Sequence, residues 1–324
     1  MKRLIFAIMA LMWSITALAQ YSTLPHFTAG PIQYGLKSAD VLSMGEAVVQ
    51  RLVDPNLTTV EIPYNVSRSK VNFKVEIIAE GAFAGTRLQE IRLNDDIKYI
   101  LSQAFERTPL KRFRCPAKLR LIGQSAFMWC DQLEEVTTDE NLKEVGHAAF
   151  WGCTKLRHFR IPRDMHTIGN NAFKGCLSLD SVVMGYDLIN LGDGAFSGCV
   201  GLHHVTLAPN LRQIPFECFR GTGLNEITIG GRVETIGQSA FYGCDNLKRV
   251  VLGANVKQLD YDAFGGTSNV ETVICLATRP PQNNNAFGYA TCQQGVLAVP
   301  AAAVGAYRQA PDWNRFKRIV ALKQ

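Results

Sequence analysis

One hydrophobic motif recurs along most of the chain. Its clearest copy is Ile168-Gly169-Asn170-Asn171-Ala172-Phe173-Lys174-Gly175-Cys176. A fixed spacing held over most of a chain is typical of a solenoid, in which each repeat forms one coil. One coil cannot bury a phenylalanine alone, so the motif predicts that each ring stacks between the rings of the adjacent coils. The motif phenylalanine recurs every 22 or 23 residues, at Phe83, Phe105, Phe127, Phe150, Phe173, Phe196, Phe219, Phe241, Phe264 and Phe287.

Each repeat also contains five or six residues in which apolar and polar positions alternate. This alternation predicts short parallel strands, one in each coil, with one face buried and the other facing outward. The outward positions are then free to vary, because they take no part in the core. The predicted strands are 57–63, 88–93, 110–115, 133–138, 156–161, 179–184, 202–207, 224–229, 247–252 and 270–275.

The region before the repeats has a different pattern. Residues 20–35 hold Pro25, Gly30, Pro31 and Gly35 without a sustained period, which indicates an extended lead. Apolar positions within 38–53 fall on one helical face, and they predict a helix that caps the open end of the solenoid. A partner-binding helix is the alternative. The polar, basic insertion at 64–74 is expected to loop out, where it either contacts a partner or is merely tolerated.

The extreme amino terminus has the features of an export signal. Lys2 and Arg3 precede an apolar run that reaches about Leu18. The end of this run, Ala17-Leu18-Ala19, supplies the small residues that signal peptidase needs at its cleavage site. We predict a removed signal peptide at 1–19, with a retained membrane anchor as the alternative. The rest of the chain, with 47% apolar and 19% charged residues overall, has the composition of a packed protein. Removing Lys2 and Arg3 lowers the formal charge from +6 to +4, which indicates no nucleic-acid partner.

The nine cysteines would suggest disulfides in an exported protein, but most of them follow the repeat. Cys and Thr alternate three residues after the motif phenylalanine, which predicts a ladder of free, buried thiols. Parallel stacking also keeps the Cβ atoms farther apart than a disulfide prefers. A bridge between Cys275 and Cys292 is left open. The alternating residues are Cys130, Cys153, Cys176, Cys199 and Cys244, with Thr86, Thr108, Thr222 and Thr267.

The pattern Leu-x-x-Val-x-Leu-Pro-x-x-Ile-x-x-Ile-Gly-x-x-Ala-Phe-x-Gly-Cys, nearly intact from Leu156 to Cys176, resembles the BspA-like leucine-rich repeat of bacterial surface proteins. The resemblance covers about residues 57–290. It implies an α/β-type repeat solenoid, a leucine-rich repeat with one short parallel strand in each coil of about 23 residues, about ten coils, and caps at both ends. It also implies adhesion to host or bacterial surfaces.

The tail is similar to the end that these proteins commonly carry. Pro300 can begin a helix there, while Trp313, Phe316 and Ile319 can seal the last coil. The predicted organisation is therefore a signal peptide at 1–19, a lead with a capping helix at 20–56, repeats at 57–290 and a carboxy-terminal cap at 291–324.

The outward strand positions change along the array, from basic residues in the amino-terminal half to more apolar residues in the carboxy-terminal half. Arginine pairs with carboxylate or sulfate in a fork geometry, so this surface suits an acidic protein segment or an acidic glycan. In the alternative, Glu90, Glu135 and other acids neutralise the cations and leave an ordinary solvated face. The candidate ligand-binding residues are Arg92, Lys111, Arg112, Arg114, Arg157, His158, Arg160, Val183, Val251 and Ile274.

Motifs for catalysis are missing from the sequence, which contains no nucleophile elbow, phosphate loop or zinc-binding histidine pair. His158 and His204 are expected two coils apart, too far to share a metal. We therefore predict no enzyme activity, no cofactor and no metal site. The leading hypothesis is an exported binding protein (secreted, cell-surface or periplasmic) for a host or bacterial protein or an acidic glycan. A structural spacer or envelope component is the alternative, and an enzyme of unrecognised type is a third hypothesis.

Overall fold

Parallel strands stack coil upon coil in the computed structural model, which describes residues 24–38 and 45–322. One succession of strands, which we call the front ladder, occupies the positions where the alternating pattern predicts strands and continues into the tail. Its pairings are parallel. The strands are β4 (Thr59–Ile62), β7 (Glu90–Leu93), β9 (Arg112–Arg114), β11 (Glu135–Thr137), β13 (His158–Phe159), β15 (Ser181–Val183), β17 (His204–Thr206), β19 (Glu226–Thr228), β21 (Arg249–Leu252), β23 (Thr272–Cys275), β25 (Val296–Val299) and β26 (Arg318–Ala321).

A second succession, the back ladder, passes through the apolar pair before each motif glycine, so the structure adds a second strand to each coil. A ten-stranded sheet and a four-stranded sheet form this ladder. β5 (Asn65–Arg68) joins the larger sheet by pairing with β6. The other strands are β1 (His26–Ala29), β2 (Ile32–Ser38), β3 (Gly45–Leu52), β6 (Val71–Ile78), β8 (Tyr99–Ile100), β10 (Leu121–Ile122), β12 (Glu144–Val145), β14 (Thr167–Ile168), β16 (Asn190–Leu191), β18 (Gln213–Ile214), β20 (Thr235–Ile236), β22 (Gln258–Leu259) and β24 (Gln282–Asn283).

The ten motif phenylalanines form one continuous stack between the two ladders. Adjacent ring centroids lie 5.0 to 5.6 Å apart, and adjacent planes differ by no more than 11°. Every ring in the stack is buried. Backbone bonds from the N–H groups of the first nine phenylalanines to the next coil, such as Phe127 N to Ala149 O at 2.7 Å, hold the rings in register. The predicted repeat solenoid with stacked rings is confirmed.

Two glycines of the motif have different physical roles. A Cβ atom on Gly169 would lie 2.6 Å from the backbone of Gly146 in the preceding coil, so close approach of the coils requires glycine there. Gly175 has a φ of 71°, in the left-handed region where a side chain is strained. The motif therefore encodes both the spacing of the coils and the turn after each ring.

All nine cysteines are free and buried, which confirms the predicted thiol ladder. Each motif thiol donates to the phenylalanine carbonyl of the preceding coil, at Sγ–O distances of 3.0 to 3.2 Å. Threonine at the same position instead bonds the phenylalanine carbonyl of its own coil. Cys275 is not bridged to Cys292, and its sulfur lies 3.1 Å from Tyr307 Oη.

The helix predicted over 38–53 is wrong. β2 and β3 form an antiparallel pair there, and β3 continues in parallel with β6. A register shift between Ala47 and Val48 interrupts the alternation of faces. In addition, Val48 is buried in a small second cluster while Ala47 and Val49 enter the main core. Because β3 is bulged and buried on both faces, its apolar residues have the spacing that is typical of a helix. Residues 39–44 lie outside the described residues.

The insertion at 64–74 is also ordered differently from the predicted loop. β5 and β6 form an antiparallel hairpin, whose turn residues Ser69 and Lys70 have φ values of 50° and 67°. Phe73 is buried beneath β1, with its ring 6.3 Å from that of Phe27. The amino-terminal end of the core is thus covered by β-structure.

The carboxy-terminal cap seals the last coil as predicted. It contains helix α1 (Tyr289–Gln294), helix α2 (Val304–Gln309) and 3-10 helices at Ala301–Ala303 and Trp313–Arg315. Pro300 occupies the N-cap of the first 3-10 helix. Trp313, Phe316 and Ile319 are buried, and Trp313 Nε1 donates to Pro281 O at 2.8 Å. β25 and β26 extend the front ladder into this region.

The described residues contain no helix of the length and hydrophobicity needed to cross a membrane. The predicted signal peptide at 1–19 lies outside the residues that the structure describes.

Candidate ligand-binding face

The outward side of the front ladder, which we call the strand face, carries the predicted site residues. In β9, for example, Phe113 is buried while Arg112 and Arg114 on either side of it are exposed. The same alternation recurs in β11, β15 and β19. Outward side chains are therefore free of the core, and their identity is not set by packing.

Five of the seven predicted cations of the amino-terminal coils lie close to carboxylates. Arginine side chains within reach of an acid are expected to form exposed ion pairs, which contribute little to stability but cancel charge. The pairs are Arg92–Glu90 at 3.3 Å, Arg112–Glu135 at 4.0 Å, Arg114–Asp95 at 3.4 Å, His158–Asp180 at 3.6 Å, and Arg160–Glu140 in direct contact.

Glu90 lies on the same strand as Arg92, whereas the other acids come from the adjacent strand or the turn beside it, so the register of the coils makes those four pairs. The hydrogen bond from Arg160 holds the pKa of Glu140 below its ordinary value. The side chains of Lys111 and Arg157 have no ion pair within the described residues. Their backbones are hydrogen-bonded to Glu134, whose N–H donates to Lys111 O and whose carbonyl accepts from Arg157 N. The predicted basic patch is thus a mosaic of alternating charges.

An apolar row crosses the carboxy-terminal strands of the same face. Val251 pairs with Ile274, Ile274 with Ala298, and Ala298 with Val320, so the four residues occupy one position in four successive strands. Val320 is exposed and the other three are half-buried. Arg249 and Arg318 lie two residues earlier in their strands and border the row. We call these four residues the apolar outer row.

Two members of this row, Ala298 and Val320, were missed at the sequence level because the tail was interpreted as a cap. The signal was present in Val296-Leu297-Ala298-Val299, where buried and half-buried positions alternate. Leu276, exposed directly after β23, continues the outward side of that strand.

Val183 does not join the apolar outer row, although the sequence grouped it with Val251 and Ile274. It lies on β15, three strands before Val251, or about 14 Å at the usual strand spacing. Thr206 is its partner on β17. At 66% exposure it is an isolated apolar side chain on a polar part of the face.

No group of three or more potential metal ligands occurs within residues 24–38 and 45–322. His158 faces Asp180, while His203 bonds Gly223 O through Nδ1 at 2.8 Å. Both histidines therefore have structural partners on the surface.

A family model described as the BspA type leucine-rich repeat region matches six copies in the chain, over residues 56–180 and 166–293. These spans include the whole Phe stack and the front ladder up to β23. No curated protein matches the chain.

Several solved structures resemble the chain. A leucine-rich repeat protein of T. pallidum is 26% identical, with 69% of this chain and 91% of that chain covered and a TM-score of 0.49. The pneumococcal vaccine antigen PcpA is 14% identical, with coverages of 93% and 99% and a TM-score of 0.43. A leucine-rich cell surface protein of Faecalibacterium prausnitzii is 18% identical, with coverages of 78% and 96% and a TM-score of 0.38.

Proposed function

The chain belongs to the BspA-type leucine-rich repeat family, and from this premise we propose that it is an exported, non-catalytic binding protein whose strand face holds a protein partner. Export is supported by Lys2, Arg3 and the apolar run that follows them, together with small residues at 17–19. The partner is then a host or bacterial protein at the cell exterior.

The apolar outer row is the observation that carries this proposal. Its apolar side chains contact water at outward positions, where packing of the core does not require an apolar residue. They belong to Val251, Ile274, Ala298 and Val320. Protein interfaces combine such an apolar centre with a polar rim, and here Arg249 and Arg318 supply the rim. Arginine is also enriched among residues that dominate binding energy.

The charge pattern favours a protein over an acidic glycan. A sulfate or carboxylate that approached Arg114 or Arg160 would have to displace Asp95 or Glu140 from its ion pair. Because the acids alternate with most of the cations, the positive field that this part of the strand face presents to a polyanion is weakened. A protein surface can match such a mosaic with charges of both signs.

Binding is tested with the secreted chain on arrays of extracellular-matrix proteins and of glycans. We expect a protein ligand whose binding falls at least about tenfold in Ile274→Glu, because a charge then lies in the apolar centre. Val183→Glu is the control, since it also introduces glutamate at an outward apolar residue of the same face, outside the apolar outer row. The thermal melting of each variant checks that it folds.

Three results would contradict the proposal. Equal loss in Ile274→Glu and Val183→Glu would show that the apolar outer row is not the site. Binding to sulfated glycans that disappears in Arg112→Glu with Arg114→Glu would support the glycan alternative. No ligand on either array, with unchanged cell behaviour after the outward residues are scrambled, would support the structural spacer. Surface protease treatment of intact cells tests export separately.

A further inference from the structure

Among the described residues, the front ladder ends at each end in a strand that is paired on one side only. At the carboxy-terminal end, Leu322 N donates to Val299 O at 2.8 Å, and the parallel register then directs the backbone groups of Arg318 and Val320 toward β25 as well. The N–H and C=O groups of Ile319 and Ala321 therefore point to the free edge. Arg308 donates to Ile319 O at 3.3 Å, while the two edge N–H groups have no partner among the described residues.

The amino-terminal end presents the complementary set. Asn94 N bonds Ile62 O at 3.1 Å and Glu90 N bonds Thr58 O at 3.0 Å, so residues at even numbers in β4 face β7. Thr59 and Glu61 then direct their N–H and C=O groups to the open edge. Unpaired strand edges of this kind are templates for pairing with another chain.

The two edges match in phase. Val296 pairs with Arg318 at one end of the ladder, and Thr59 pairs with Glu90 at the other, each as the first residue of its strand. If β4 of a second copy continued the ladder after β26, Arg318 would lie opposite Thr59 and Val320 opposite Glu61. The edge donors of Ile319 and Ala321 would then meet the carbonyls of Thr59 and Glu61.

The charges at the two edges are opposite. An open groove beside β26 is lined by Arg308, Lys317 and Arg318, and none of these side chains has an ion pair within the described part of the chain. An open groove over β4 and β7 is lined by Thr59, Val60, Glu61, Glu90 and Arg92. Arg92 is paired with Glu90, whereas Glu61 on the edge strand has no ion pair within the described residues.

We propose that the β26 edge of one copy binds the β4 edge of a second copy in parallel, joining the chains head to tail through a continued front ladder. Like edges repel each other through their charges, so the pairing is selective for unlike ends. Strand addition of this kind gains affinity from main-chain hydrogen bonds. Because each added copy leaves one β26 edge and one β4 edge free, the contact is heterologous and produces open chains.

The test is sedimentation velocity of the purified secreted chain over a wide concentration range at low and high salt. We expect a weight-average mass that rises with concentration beyond a dimer and falls when salt is added. Arg318→Glu alone and Glu61→Lys alone are each expected to weaken association by more than about tenfold, because each places like charges across the edge. The double variant, which swaps the two charges, is expected to restore it.

Controls separate this contact from the proposed partner site. Arg249→Glu reverses an exposed charge inside the ladder and is expected to leave self-association unchanged. Ile274→Glu is likewise expected to have no effect, so the failure of one proposal does not decide the other. Ala321→Pro removes an edge donor and is expected to weaken association. A monomer at every concentration, or a closed dimer insensitive to Glu61→Lys, would overturn the proposal.

Discussion

The amino-terminal and carboxy-terminal coils present the same backbone on the strand face but different outer side chains. From β7 to β13 the outward arginines lie opposite carboxylates. From β21 to β26 the corresponding row is apolar, and Arg308, Lys317 and Arg318, which have no ion pair with any described residue, lie at the β26 edge. The comparison teaches that a count of cations does not predict surface charge, because the register of adjacent strands decides which charges meet.

The interior differs less, but in an informative way. Phe113 and Phe159 in the amino-terminal strands point their rings edgewise at the Phe stack, for example at 4.7 Å from Phe127 and 4.8 Å from Phe173. Carboxy-terminal strands place aliphatic residues such as Ile227 and Val250 there. Apart from Phe287, which contacts Trp313 and Phe316 of the cap, the stack therefore has additional aromatic contacts in its amino-terminal half only.

The largest expected effect tests this difference between the interiors. Phe127→Ala and Phe241→Ala should each lower the free energy of unfolding by about 3–5 kcal/mol, because both rings are fully buried. The Phe127→Ala substitution should lower the free energy of unfolding by about 0.5–1.5 kcal/mol more than Phe241→Ala, because Phe127 also contacts Phe113. Urea unfolding measures both values. Phe113→Leu should remove the extra cost, and a larger loss at Phe241 would contradict the comparison.

The next effect concerns the thiol ladder, which begins in the amino-terminal half. Burial raises the pKa of Cys130 from 9.0 to about 11 and that of Cys199 to about 12. Below pH 9 both the folded and unfolded thiols keep their protons. As the pH rises above about 9 the unfolded thiols ionise first, so stability falls until the folded thiols ionise too. Each thiol contributes about 1.4 kcal/mol for each unit between its two pKa values.

Urea unfolding at pH 8 and near pH 10.5 should reveal this loss. Replacing Cys130, Cys153 and Cys176 by threonine, which other coils carry at the same position, should flatten the dependence. A thiol reagent should label no cysteine of the folded protein at pH 8 and all nine after denaturation. Rapid labelling of the folded chain would show that the ladder is not buried.

A smaller effect is expected at the carboxy-terminal cap. The buried Tyr307 hydroxyl donates to Ala277 O at 2.9 Å and contacts Cys275 Sγ. Tyr307→Phe leaves this carbonyl without its donor and should cost about 1–2 kcal/mol in unfolding free energy. Tyr289→Phe is the control, because Tyr289 is 75% exposed. Equal melting temperatures for the two variants would show that the cap does not depend on this hydrogen bond.

The smallest expected effect separates paired from unpaired surface cations. Arg114→Gln breaks an exposed ion pair with Asp95 and should cost less than about 1 kcal/mol, whereas Arg318→Gln should cost nothing measurable. Thermal unfolding at low and high salt measures both changes. The Arg114 effect should disappear in high salt, and an effect that persists there would contradict its electrostatic origin.

The errors of prediction occurred at the two ends of the repeat array and in the turns between its strands. Residues 38–53 have helical spacing because β3 is bulged at Ala47 and Val48 and is buried on both faces. Glu90 and Glu135 were named from the sequence as acids that neutralise the arginines of the strand face, but Asp95 and Glu140 were not, because they lie in turns outside the predicted strands. Ala298 and Val320 were missed because the tail has no motif phenylalanine to mark its strands.

The sequence by itself determined the solenoid, its period, the stacked rings and the buried thiols, because each depends on one short motif repeated at a constant interval. Within a coil, alternation also separated inward from outward strand positions. Only the tertiary structure decided which outward charges pair, how the amino-terminal end is covered, and where strand edges remain open. These features depend on contacts between coils and on single, unrepeated segments, for which the periodic pattern holds no information.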